Sequence, residues 1–395
     1  MPSFFTNIRK VLQQNIREYG MFIALFVIMA IFTFTTKGIF ISSRNISNLI
    51  NQTGYIAVLA VGMTLVIVIR HIDLSVGYLA GFLGAMAAIA LAFWHLPVYL
   101  VIPMVLALGV VAGMITAFPV ARLGIPAFVA SLASWLIYHG LLQLSTAGTG
   151  TIIISNAAFN AIGNGFIPDF PEMGFLPGVH KVTLLLGLIG IVLMIINEFN
   201  NRRNKLAYNF EVLSMDIFIL KLVFMSSLLA YITWTMAGYN GISWTLVIVL
   251  VVVGIYDFIT SKTVLGRQIY AVGGNPDAAE LSGIKVDKIT FVVFGSMGLL
   301  AALSGILFTS RLQSATTTAG NGFELDAIAA AYVGGVSAAG GVGKVTGSII
   351  GALVMMSLNS GMNLMNIDIS FQYIVRGAVL VAAVVFDVMT RNRSK

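Results

Sequence analysis

The sequence predicts an all-α, polytopic membrane protein, and three observations carry that prediction. Of the 395 residues, 58% are hydrophobic and only 9% charged, with a mean hydropathy of +0.96, whereas a soluble domain carries about 25% charged residues. A water-soluble chain this apolar has too few polar groups to cover its surface. Apolar runs such as Ile217–Met236 and Trp244–Thr260 are continuous and close to the length a helix needs to cross a bilayer. A spanning segment must satisfy its backbone polar groups internally, as a helix or a closed barrel. Barrel strands alternate polar and apolar residues over about 10 positions, and these runs do not alternate.

In chain order, residues 1–18 read as an amphipathic, basic, cytoplasmic surface helix. No small-residue cleavage site follows the first apolar run, so it does not read as a removed signal peptide. About 12 apolar segments follow, at 20–36, 49–69, 75–94, 98–118, 125–146, 182–197, 217–236, 244–260, 291–310, 325–339, 345–363 and 371–389. Residues 19–390 thus form a single transmembrane domain, and 391–395 a basic cytoplasmic tail. With the N-terminus inside and strict alternation, Lys37, Arg44, Lys181 and Arg311 fall in outer loops. Lys221 and Arg376 fall within spans, near ends where they can snorkel, and every other Lys and Arg falls inside. Both termini are then cytoplasmic.

The net charge of +7 reflects this one-sided placement at helix ends beside lipid and does not point to nucleic acid. The absence of Cys excludes disulfides, thiolate metal sites and a cysteine nucleophile. His71, His95, His139 and His180 form no helical metal pair, so no metal site is expected. The 40 glycines suit helices whose backbones approach closely in a membrane.

Two loops are long. Residues 147–181, outside, are rich in Gly, Asn and Pro. Residues 261–290, inside, read SKTVLGRQIYAVGGNPDAAELSGIKVDKIT. Gly273-Gly274-Asn275-Pro276 is a turn cluster. Asn275 suits an N-cap, Pro276 the first helical position, and Asp277 and Glu280 the positive end of the helix dipole. Ala278, Ala279, Leu281 and Ser282 continue a short helix that Gly283 ends. Such an element is either a solvated loop or a rigid knob that seats on another protein.

Two other strings stand out. In HIDLSVG (71–77), Asp73 is placed to accept from amides near Ser75 and Val76 and so cap the next helix. Gly77, Gly81 and Gly84 then form a small-residue stripe. This is a capped hairpin, a gate, or a second inner contact. In ELDAIAAAYVGGVSAAGGVG (324–343), a short apolar stretch meets a Gly-rich break. It is either a tightly packed short span or a discontinuous segment of the kind tolerated beside a watery cavity. Gly343-Lys344 is not a phosphate loop, because Ala338 stands where the first Gly belongs and Val345 where Ser or Thr is required.

Together these strings resemble the permease subunits of bacterial ABC importers, in the branch that imports ribose, xylose, galactose and related monosaccharides. Asp277-Ala278-Ala279, three residues, then Gly283 is similar to the E-A-A-x-x-x-G signature, with Asp for the usual Glu, and His71 stands where the branch has Gly. The extra segment at 182–236 is similar to the longer xylose or multiple-monosaccharide permeases. The resemblance implies the vitamin-B12-type permease architecture, with about 10 core transmembrane helices plus an extra helix pair. It implies import of a monosaccharide (xylose, galactose, glucose or similar) driven by a separate ATP-binding ABC subunit, which carries the ATP and Mg. This chain would then be no enzyme and hold no cofactor. It also implies an extracytoplasmic sugar-binding protein and a second copy of the chain as partners, with Asn275–Gly283 coupling to the ATPase.

An uncharged sugar needs hydrogen-bonding side chains along its route. Asn48 and Gln52 share one helical face, and Asn359 and Asn363 another. Asn51, Thr53, Ser131, Ser134, Gln143 and Ser360 are further polar positions within spans. For all of them, inter-helix hydrogen bonding is an equal alternative. Lys37, Arg44 and Arg311 are candidates for docking the binding protein. The competing function is an ion-coupled secondary transporter, which needs a mid-membrane acid. The span limits put Asp257 and Asp387 near inner ends and Glu324, Asp326 and Asp368 near outer ends. A membrane-embedded enzyme would need a convergent catalytic set, and none is visible.

Overall fold

In a computed structural model, residues 16–171, 174, 176–210, 212 and 214–392 are described. Most of the surface helix expected over 1–18, and the last three residues of the basic tail, lie outside them. The first helix, α1, is Ile16–Thr35. It is followed by a single 3-10 turn, then α2 (Ser43–Val68), α3 (Val76–Ala92), α4 (Val98–Leu123) and α5 (Ala127–Thr146). Strand β1 (Thr151–Ile153) and α6 (Ala157–Asn164) lead to α7 (Lys181–Ala207) and α8 (Met215–Ala237). Then come α9 (Trp244–Lys262), α10 (Val264–Gly274), α11 (Pro276–Leu281), α12 (Val286–Leu312), β2 (Ser314–Thr316), α13 (Phe323–Val333), α14 (Val345–Leu364) and α15 (Ile369–Asn392). Among the described residues, 9 helices are long and apolar enough to cross a membrane, and α1 and α3 are shorter apolar helices. Each expected apolar segment meets a helix. The exception in length is 325–339, which is helical only to Val333 and then turns at Gly334-Gly335.

The chain resolves into two compact units. The smaller contains residues 166–243 and is built on α7 and α8, the extra pair. These run antiparallel, with Gly187 against Thr233, Phe199 edge-on to Phe218, and Glu198 opposite Lys221. Lys221 does not snorkel as expected. Its Nζ donates to both Glu198 oxygens at 2.8 Å, because a paired cation costs less within a span than a lone one.

In the larger unit α12 is central, packed along α4 and α3. Glycines make this possible: Gly109 faces the Gly298 backbone, Gly113 that of Phe294, and Gly84 that of Gly305. Strands β1 and β2 pair antiparallel, Ile152 opposite Ala315. At about 1.5 Å per residue, α3 spans about 26 Å and α13 only about 17 Å, short of a hydrocarbon core of about 30 Å. Non-helical chain makes up the difference. Residues 313–322 fold back from the end of α12 so that Ala319 lies against Gly81 and Gly320 against Gly77, and α13 starts there. Glu324 therefore touches Gly77, although the span limits put these residues near opposite membrane faces. Both acids in the first turn of α13, Glu324 and Asp326, are only 6% exposed. Arg376 does not snorkel either; its Nη1 lies 3.5 Å from Asp326 Oδ2.

Candidate functional site

The short helix α11 forms as its residues dictate. Asn275 Oδ1 accepts from the Ala278 amide at 3.1 Å, and Pro276 occupies the first turn. After Ser282 the chain turns at Gly283 with φ +83°, a left-handed conformation that favours glycine. The Gly283 amide donates to Glu280 O at 2.8 Å and the Ile284 amide to Ala279 O at 3.0 Å, closing the helix end. Of its side chains, only Ala279 is buried in the protein. Ala279 therefore anchors the knob from behind and does not belong to an outward seating face. Asp277, Ala278, Glu280, Leu281 and Ser282 face outward, and Leu281 is 91% exposed.

Behind this knob α10 is tied to the ends of two other segments. Thr263 caps α10 by accepting from the Gly266 amide at 3.2 Å. The Arg70 guanidinium, just past α2, donates through Nε to Gly273 O at 2.7 Å and through Nη2 to Gly274 O. The Gly341 amide donates to Val68 O at 2.8 Å, and Tyr270 Oη to Gly343 O at 2.5 Å. Burial, aided by the Asp257 charge, raises the Tyr270 pKa, which keeps the hydroxyl a donor. Three segments distant in sequence, ending at Arg70, Gly274 and Gly343, are thus hydrogen-bonded directly behind α11. These bonds join the end of α10, from which α11 continues, to the end of α2 and to the turn after α13.

The other sequence-predicted positions are scattered. Asp73 does not cap α3. Its Oδ1 accepts from the Ser75 amide at 2.9 Å and from Ser75 Oγ at 2.6 Å, a turn that closes one residue before the helix. Asp73, Ser75 and Gly77 are all buried, so they cannot form a second contact with a soluble partner; the gate and hairpin readings remain. Asn48 and Gln52 are half-buried. Asn359 is buried and Asn363 exposed, and Asn363 Oδ1 accepts from Gln372 Nε2 at 2.8 Å. These two therefore do not act as one polar face. Lys37 and Arg44 are exposed, whereas Arg311 is half-buried, because α6 packs against its backbone at Gly163 and Asn164.

Sequence reasoning named Gln143 and Glu324 but missed the polar and aromatic group that Trp135, His139 and Tyr78 form between them near the start of α13. Trp135 Nε1 donates to Glu324 Oε1 at 3.2 Å. Tyr78 stacks on His139 with centroids 4.2 Å apart and meets Trp135 edge-on at 4.9 Å. His139 Nε2 lies 3.1 Å from Gln143 Nε2. The legible signal was the spacing of Trp135, His139 and Gln143, four apart on one helix. The fold-back that brings Glu324 to them left no local trace.

The chain matches the family described as branched-chain amino acid transport system, permease component, over residues 45–384. It is 38% identical to the xylose transport system permease protein XylH of Haemophilus influenzae over 386 residues, 98% of this chain and 99% of that one. It is 36% identical to XylH of Escherichia coli over 96% of this chain and 94% of the relative. Against the ribose import permease protein RbsC of H. influenzae the identity is 35%, over 94% and 93%. No solved structure matches. With its family match running from the start of α2 into α15 and its relatives aligned almost end to end, the chain belongs to this family of transport-system permease components, as a multi-pass protein of the inner membrane.

Proposed function

We propose that this chain is the membrane path of an ATP-driven importer that carries a monosaccharide, xylose or a similar sugar, into the cytoplasm. A separate ATPase binds the ATP and Mg, an extracytoplasmic binding protein delivers the sugar, and a second copy of the chain completes the path. The family description names amino acids, but relatives matched over nearly the full length are named for xylose and ribose systems, which favours sugar. The observation that carries the coupling is α11, a capped knob with its side chains turned outward and its base tied through Arg70 to α2. Both termini lie on the cytoplasmic side with α11, by the distribution of Lys and Arg. Exposed Lys37 and Arg44 lie on the opposite side, where they meet acids of the binding protein.

The permease, reconstituted with its ATPase and binding protein in vesicles, is expected to accumulate D-xylose or D-ribose when ATP is supplied. An imposed proton or sodium gradient without ATP should give none. Accumulation under the gradient alone would establish an ion-coupled transporter and reject this reading. Arg70→Ala removes the tie while leaving the outer face of α11 intact. Hydrogen bonds to a charged group contribute about 1.5–3 kcal/mol, so sugar moved per ATP hydrolysed should fall by about tenfold or more, with ATPase binding unchanged. An unaltered ratio would show that motion reaches the spans by another route.

A further inference from the structure

Helix α1 meets its neighbours in the larger unit near both of its ends. Towards its start, Gly20 lies against the Phe386 ring of α15, and towards its end Phe32 packs on Gly361 of α14. Between these contacts α1 stands off and leaves a cavity of about 330 Å³, backed by α14 and by the end of α13. Gly20, Ala24 and Ile28, four apart on one face of α1, form one wall. The facing wall on α15 runs from Val379 through Ala383 to Asp387. Small side chains on both walls keep the space open. The lining is apolar except for Tyr332 and Asp387. Asp387 is turned to its own chain, where Oδ2 accepts from Ser337 Oγ at 3.1 Å and from the Ala338 amide at 3.2 Å. On the flanking surface Ile23, Val27, Val381 and Val385 are exposed apolar side chains, a surface that lipid covers and water does not.

We propose that this cavity holds one acyl chain of an anionic phospholipid from the inner leaflet. Size decides against a second copy of the chain. Each wall covers eight residues of rise, about 12 Å, so the cavity has a mean cross-section of about 28 Å². A helix with its side chains is at least about 10 Å across and occupies roughly 80 Å². The cavity is therefore too narrow for a helix and has the scale of a single hydrocarbon chain. Left unfilled, it would forfeit dispersion contacts along four helices. Charge decides the headgroup. The antiparallel walls of α1 and α15 bring the start of one helix beside the end of the other. Arg17 stands one turn before Gly20 in α1, and Arg391 one turn after Asp387 in α15. Cations at the cytoplasmic end of a site between spans attract anionic headgroups. The tail then lies along α1 towards the bilayer centre, with the phosphate at the Arg17 and Arg391 end.

The test is native mass spectrometry of the full-length chain released from nanodiscs that hold phosphatidylglycerol and phosphatidylethanolamine in equal amounts. One phospholipid per chain should be retained, with phosphatidylglycerol favoured by about tenfold or more. Ala24→Trp fills the cavity and should lower retention by about tenfold or more. Val27→Trp, on the exposed side of the same helix, should leave retention within about twofold. Arg17→Gln combined with Arg391→Gln should keep a bound lipid and erase the preference for phosphatidylglycerol. If Ala24→Trp fails to fold, the smaller filling substitution Ala383→Leu decides in its place. Equal retention by the filled and unfilled forms would overturn the site, as would a wild-type chain that carries no lipid. Loss of dimers in Ala24→Trp with lipid retention unchanged would assign the cavity to a second copy of the chain instead. Equal retention of the two lipids by the wild type would overturn the anionic headgroup.

Discussion

Leu281→Asp is expected to abolish stable association with the ATPase subunit while leaving the permease folded. Leu281 is 91% exposed at the end of α11, so it contributes almost nothing to the fold of its own chain. Seated in a partner's groove, a leucine stabilises the complex by about 1.5–3 kcal/mol. A carboxylate in that groove also brings a desolvation penalty. Together these weaken association by about 100-fold or more. Copurification of the two subunits measures the loss, and the melting temperature of the isolated permease in detergent supplies the control. Exposed substitutions usually change stability by less than about 0.5 kcal/mol, so that temperature should hardly move. Undiminished copurification would mean that the ATPase grips another surface. Ala279→Leu acts from the other side of the helix. Ala279 is 4% exposed, so a larger side chain there should lever α11 away from its support and lower stability as well as association.

The largest effect on the fold itself is expected from Gly298→Leu. Gly298 lies where α12 crosses α4, and a side chain there would enter the backbone at Gly109 and the Gly113 amide. Rotamer changes cannot relieve that collision, because the obstacles are main-chain atoms of a neighbouring helix. The helices must separate along their longest shared contact, at a loss of more than about 3 kcal/mol, beyond the usual range for overpacking. Gly254→Leu is the matched control. Gly254 is exposed on α9 and a side chain there meets nothing within 4 Å. Fluorescence-detected gel filtration after heating should show Gly298→Leu aggregated and Gly254→Leu monodisperse. Equal stability of the two would refute the close crossing of α4 and α12.

The knob was legible because its signals are local. Asn275, Pro276 and Gly283 each act on backbone within four residues, so a capped helix is readable in the string itself. The path residues were not legible by the same means. Asn359 and Asn363 satisfy helical spacing, yet one is buried and the other is engaged by Gln372. Lys221 and Arg376 looked like snorkelling cations until their acids, Glu198 and Asp326, were seen on other helices. Spacing along one helix places residues on a face and says nothing about which neighbour covers that face.

What the chain alone determined is its solvent and its local elements: an all-α, lipid-embedded protein of many apolar helices, and one short capped helix among them. Hydrophobicity, caps and glycine turns act over a few residues, and such information is written in sequence order. What only the tertiary structure decided is the fold-back after α12, the meeting of Gly77 with Glu324, and the bonds from Arg70 to Gly273 and Gly274. Each joins residues about 200 positions apart or more. Such meetings depend on how whole helices pack, where glycine backbones interlock and where a short helix leaves a gap, and packing is a property of the assembled core.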